Sequence, residues 1–283
     1  MLLAVATIWL VGRAVEGVNA VLRAPVVAGN PLSTAAPARP ASNGSPAIDR
    51  ISQRGRLIVA IQDVPGLAQR SASSGDYTGF DIALVQLIAH DLGVDPARTS
   101  FKPMPAGIRE GALGRGEVDL VVGGYEISGK PSTNVTIAGP YLVRALQLAV
   151  PATSGVTDVN SLGHGKVCVP DGSSAAAALT ARGIAVQTRA SLADCVGLLG
   201  GRVEAIGGDQ PTVAAVLSHM HGTLRLLGEQ VGTTEYGIGL APGDPVLHDR
   251  ITAVLRHAID DGTWGLLYAQ YLGNPVPRPP VPR

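Results

Sequence analysis

Short apolar runs of strand length alternate with helix-length segments twice along this chain, a pattern that leaves few folds open. In the first series, residues 57–61 (LIVAI) read as a buried strand, and residues 80–93 (FDIALVQLIAHDLG) have helical apolar spacing that ends at Gly93. Residues 100–104 read as a strand, 106–116 as a helix, and 118–124 (VDLVVGG) as another buried strand. The second series runs through KVCVP at 166–170, a helix across AAAALTARG, AVQT at 185–188, a helix over 191–200, and VEAIGG at 203–208. Strands joined by crossover helices pair in parallel. Each series therefore predicts an α/β lobe with a mostly parallel sheet, and two such lobes enclose a cleft. LQLAV at 146–150 and YGIGL at 236–240 flank the second series, where two crossing strands carry the chain out of the first lobe and back. The helical stretch after His248 then packs on the first lobe.

The flanks read differently. The first twelve residues, MLLAVATIWLVG, are apolar without interruption, and a weaker apolar stretch continues to Leu22 past Arg13 and Glu16. Residues 24–47 are rich in Pro, Ala, Ser, Gly and Asn, a composition that cannot bury enough surface to fold. The predicted organisation is a signal or membrane anchor over 1–23, a flexible linker over 24–47, lobe 1 over 48–143 and 236–273, lobe 2 over 144–235, and a disordered proline-rich tail over 274–283. This places the folded part outside the cytoplasm, tethered to the cell membrane by its N-terminal segment. No Cys stands near the N-terminus to carry a lipid.

Charge and motifs exclude several functions. The 22 basic and 22 acidic residues balance, so no basic face is available for nucleic acid. The six His are scattered without metal-ligand spacing, and no phosphate loop, dinucleotide fingerprint, GxSxG or HExxH occurs, so neither cofactor nor metal is expected. Cys168 and Cys195 both fall in lobe 2; an exported setting favours a disulfide between them over two buried thiols.

The order RGRLIVAI, YTGFDIALVQLIAHDLG, GEVDLVVGG, GPYL, GKVCVPDGSSA, GGDQPTVAAVL and EYGIGLAPGDPVLHDRITAVLRHAIDDGTWGLLYAQYLG resembles the polar amino-acid binding proteins of ABC transporters over residues 50–273. The pair VCV and ADC in lobe 2 is similar to actinobacterial glutamine/glutamate-binding members. The resemblance implies a two-lobed, type II periplasmic-binding-protein-like fold, a small polar ligand, capture by hinge closure, a membrane permease partner, a monomeric state and no catalysis.

It also implies a site, from which this chain departs. The family reads approximately GxTxTxxR after the third strand, where a glycine, hydroxyls and an Arg grip the ligand's carboxylate. Here the segment is GYEISGKP: Gly124 and Ser128 match, Glu126 replaces the first hydroxyl, and Pro131 stands in place of the Arg. Asp209 matches the acidic residue that holds the ligand's ammonium group. A cleft with Glu126 and Asp209 favours an amine or amide over a free carboxylate. Lys130, or the helix start at Ser173 and Ser174, offers an alternative carboxylate partner. Tyr125 and Tyr141 are candidate cleft walls, with Tyr141 also suited to core packing, and Asp63 reads as a turn residue or a third acid at the mouth. Two further readings stay open: a tethered sensor without a transport role, and a dehydratase-like enzyme with Glu126 as its acid. A third alternative turns Glu126 to solvent and leaves the cleft vestigial.

Overall fold

A computed structural model describes residues 44–127, 133–163 and 166–283 of the chain. The predicted signal or anchor and nearly all of the linker lie outside the described residues. The folded unit opens with helix α1 (Pro46–Arg54), two residues ahead of the expected boundary. Its start carries its own signals: Ser45 caps it by accepting from the Ile48 amide, Pro46 opens the first turn, and Gly55 ends it in the left-handed conformation. Ser45 is fully buried and also donates to Asp244 Oδ2 at 2.7 Å, which ties the first helix to the C-terminal helical segment.

Lobe 1 is built on β1 (Leu57–Ile61), β4 (Thr99–Pro103) and β5 (Leu120–Val121), with β1 parallel to both neighbours. All five residues of β1 are buried, as a continuous apolar run requires when helices cover both sheet faces. A small hairpin of β2 (Gln69–Arg70) and β3 (Tyr77–Thr78) precedes α2 (Phe80–Asp91), and α3 (Ala106–Gly114) links β4 to β5. The helices α7 (Pro245–Asp260) and α8 (Thr263–Leu272) return to this lobe, where Trp264 packs edge-on against Phe80 and donates its indole N–H to the Tyr141 carbonyl at 2.8 Å.

Lobe 2 holds β7 (Val167–Pro170), β8 (Val186–Arg189) and β9 (Ala205–Asp209), with β7 parallel to both neighbours. The helices α4 (Ser174–Ala181), α5 (Leu192–Val196) and α6 (Gln210–His219) cover them. Alternation along β7 splits the lobe's core: Val167 and Val169 join the cluster around Leu146 and Leu179, while Cys168 faces Cys195 and Val213 on the other side. Cys168 and Cys195 form a disulfide.

Two long strands join the lobes, β6 (Thr136–Pro151) and β10 (Leu224–Leu240). They pair antiparallel and complete an eight-stranded sheet in the order β4-β1-β5-β10-β6-β9-β7-β8. The expected crossing strands LQLAV and YGIGL are segments of these two. Within the proline-rich tail, the last two residues make contacts with the folded unit. Arg283 exchanges backbone hydrogen bonds with Gly139 of β6 and pairs with Glu235 of β10 at 2.9 Å, while Arg256 of α7 donates twice to the Pro282 carbonyl. Those contacts satisfy polar groups that a proline-rich segment cannot pair within itself.

Candidate functional site

The cleft side of lobe 1 is shaped by the turn that follows β5. Gly123 and Gly124 take φ values of 89° and 61°. A Cβ on Gly123 would stand 2.6 Å from the Gln62 backbone nitrogen, so a side chain here would push the loop off the end of β1. The loop is held from beneath by Asp81 in the first turn of α2, whose Oδ2 accepts from the Gly124 amide at 3.2 Å. Beyond the turn, Glu126 makes an isolated antiparallel bridge to Tyr236 of β10. The Ile127 amide donates to the Glu235 carbonyl at 2.8 Å, and the Gly237 amide donates to the Tyr125 carbonyl at 2.9 Å. The backbone of Glu126 is thereby pinned to a hinge strand.

The side chain of Glu126 crosses to lobe 2. Its Oε2 accepts from the backbone amide of Ser174 at 2.7 Å. Ser174 is the first residue of α4, whose N-cap Ser173 accepts from the Ala176 amide at 3.3 Å and donates to the Pro170 carbonyl at 2.7 Å. The Ser174 hydroxyl also pairs with that of Thr234 at 2.8 Å, a buried residue of β10. Asp209, the last residue of β9, caps α6 by accepting from the Thr212 amide at 2.8 Å. Its carboxyl group also faces the Glu126 carboxyl and the Tyr236 hydroxyl. The latter is buried without a hydrogen bond of good geometry.

Burial is the main force lifting the Glu126 carboxyl above its ordinary range; the Ser174 amide pulls it down and Asp209 pushes it further up. A carboxyl placed against another disfavours its charge, and a cation between the two relieves that repulsion.

The structure thus brings Glu126, Ser174 and Asp209 together, with Ser173 capping alongside and Gly124 in the supporting turn. Tyr125 is oriented otherwise: its hydroxyl donates to Glu110 of α3 at 2.7 Å, and the Arg109 guanidinium lies 5.4 Å from its ring centroid. Ser128, Lys130 and Pro131 lie outside the described residues. Asp63 is an exposed turn residue that accepts from the Arg70 amide at 3.3 Å, and Tyr141 is buried against Phe80. Among the described residues, no cluster of three His, Cys, Asp or Glu is placed to hold a metal.

Three contributors escape a reading of the sequence alone. Tyr236 and Thr234 reach the site from β10, and nothing local marks them. Arg109 is 5% exposed, its Nε has no partner, and its charge is felt by Glu126. The signal for Arg109 was a charged pair, Arg109–Glu110, inside a helix whose neighbours are small or apolar.

Residues 57–274 match the model of the bacterial extracellular solute-binding proteins, family 3. The chain belongs to this family. Among relatives, this family-3 protein is 29% identical over 226 residues to the glutamate-binding protein GluB of Corynebacterium glutamicum, covering 75% of this chain and 76% of that one. It is 27% identical, with a TM-score of 0.66, to the structure of an ancestral arginine-binding protein bound to glutamine, covering 78% of this chain and 99% of that one. The cysteine-binding protein of Campylobacter jejuni shares its fold, with a TM-score of 0.66 at 23% identity over 80% of this chain and 92% of that one. The two-lobed α/β architecture with its crossing hinge strands is that of these type II binding proteins, and the relatives are named for binding rather than for catalysis.

Proposed function

We propose that this family-3 protein captures a small polar solute bearing an ammonium group, an amino acid, amide or amine, outside the cytoplasm, and presents it to an ABC-type permease. The observation that carries this reading is the meeting of Glu126 from lobe 1 and Asp209 from lobe 2. An ammonium group placed there relieves the repulsion between the two carboxyls and bridges both lobes, so it selects the closed form by contacts to each. Tyr236 adds a buried hydroxyl beside the same point. The names of the relatives, glutamate-, cysteine- and arginine-binding, support a polar amino-acid-like solute. The apolar residues 1–23 and the linker that follows support export and tethering at the outer membrane face.

Thermal unfolding of the full chain against amino acids, amides, polyamines and dicarboxylates tests the reading. A ligand at 100 times its dissociation constant stabilises by about 2.7 kcal/mol. Shifts with ammonium-bearing compounds are expected; a response confined to dicarboxylates, or to none of the panel, rejects it.

A further inference from the structure

We infer that Glu126 is a built-in substitute for a ligand carboxylate: it occupies the N-terminus of α4 and latches the two lobes together with no solute bound. The inference rests on the site described above but does not need an ammonium ligand to be correct.

The open amides at a helix start attract a carboxylate, through their N–H groups and the positive end of the helix dipole. At α4, Ser173 satisfies the Ala176 amide, and the Ser174 amide points across the cleft. The group that meets it at 2.7 Å is not a solute but the carboxyl of Glu126, carried by the opposite lobe. Nothing in lobe 1 needs that bond, since the Glu126 backbone is already held by the bridge to Tyr236 and its flanking hydrogen bonds. The side chain is therefore free to leave α4 when the lobes part, and it reforms one interlobe bond each time they meet. Asp209 from lobe 2 contacts the same carboxyl and opposes its charge, whereas the Ser174 amide favours it. Other ionisable groups facing Glu126 are Tyr236 on β10 and Arg109 on α3, the latter a cation that favours an ionised Glu126. Two consequences follow for the bound solute. A free amino acid must displace Glu126 to place its own carboxylate on α4, whereas an amine or amide can bind with the latch still made.

The decisive variant removes the donor and spares the helix. Ser174 is the first helical residue, a position where proline is welcome because its missing N–H has no helical partner. Ser173 already has the extended backbone that a following proline demands, with φ −72° and ψ 156°. Ser174→Pro therefore deletes the amide bond of the latch, Ser174→Ala keeps that bond while removing the hydroxyl that also reaches Glu126, and Glu126→Ala removes the acceptor. Spin labels on cysteines introduced at Gln53 in lobe 1 and Ala214 in lobe 2 report the interlobe distance in the full chain, refolded from denaturant to strip carried-over solute. Without ligand, the wild type and Ser174→Ala should give one short distance, and Ser174→Pro and Glu126→Ala a longer or broader one. A ligand-free wild type with the same distribution as Ser174→Pro overturns the latch, even if amines bind. A closed wild type that binds no amine leaves the latch intact and removes only the proposed ligand class.

Discussion

The Asp81 carboxylate accepts a hydrogen bond from the Gly124 amide at 3.2 Å while being wholly buried beneath the glycine turn that follows β5. Its second oxygen and the nearby Tyr141 hydroxyl both lack a partner of good geometry. Burial is the dominant influence and raises the pKa from 3.8 to about 6, with Tyr141 and the Gly124 and Gly123 amides pulling the other way. The raised value means that the folded state holds this proton more tightly than the unfolded chain does. Its stabilising effect is therefore complete below about pH 4 and is lost as pH rises through about 6. Two pKa units correspond to roughly 3 kcal/mol. Asp81→Asn keeps an acceptor for Gly124 and cannot ionise. The stability of wild type relative to this variant should fall by about 2 to 3 kcal/mol between pH 4 and pH 7, read from denaturant unfolding. A difference that stays constant across this range would refute the account.

Much of this scaffold could be read before the structure, and the failures have physical causes. LIVAI and KVCVP stand out because strands buried on both faces are continuously apolar. VDLVVGG has the same look, yet only Leu120 and Val121 pair as a strand. Asp119 and Val122 on either side still donate their amides to Ile58 and Ala60 of β1, and only Gly123 and Gly124 leave the sheet to build the turn before Glu126. Of the hinge strands, only the most apolar segments stand out in the sequence, because β10 changes register between Leu226 and Gln230, at Gly232 and near Tyr236, which breaks the period-two pattern. Asp209 stands out in the sequence for its charge, and its second role as the cap of α6 shows only once the Thr212 amide is seen to meet it. The acids of the site were legible as departures from a familiar segment. Their partners, Ser174's amide and Tyr236, depend on how two distant stretches meet and leave no local trace.

The disulfide between Cys168 and Cys195 closes a loop spanning a sequence separation of 27, and both residues are fully buried. On the chain-entropy model a loop of this size is worth about 3 to 4 kcal/mol. The Cys168→Ala/Cys195→Ala double variant should lose about that much in denaturant unfolding. Mild reductant should leave the native protein intact and act only once lobe 2 unfolds, because neither sulfur is accessible. Reduction under native conditions, measured by thiol labelling, would show that lobe 2 opens locally.

Asp209 serves two purposes that a pair of variants separates. As N-cap of α6 it needs only a side-chain oxygen for the Thr212 amide, and Asn supplies one as well as Asp does. As the proposed ammonium partner it needs the charge. Asp209→Asn should keep the unfolding midpoint within about 0.5 kcal/mol and abolish ligand-induced stabilisation, whereas Asp209→Ala should also lose about 1 kcal/mol of stability. Ligand binding retained by Asp209→Asn would place the ammonium elsewhere in the cleft.

Removing the Glu126 carboxyl should change which solutes bind, because it vacates the Ser174 amide that a carboxylate from outside can then take. A hydrogen bond to a charged group contributes about 1.5 to 3 kcal/mol, a factor of about 10 to over 100 in affinity. Glu126→Ala should therefore bind free amino acids at least about tenfold more tightly than wild type does, since they no longer compete with an internal carboxyl. Amines and amides without a carboxylate should weaken by a similar factor, having lost one of two acids around the ammonium group. Isothermal titration of both compound classes into both proteins reads the two changes separately. If amino-acid affinity stays level while amines weaken, Glu126 contributes charge to the ligand alone and its contact with α4 is incidental. If both classes bind the variant as they bind wild type, the ligand lies clear of Glu126, and the convergence of Glu126 and Asp209 serves closure only.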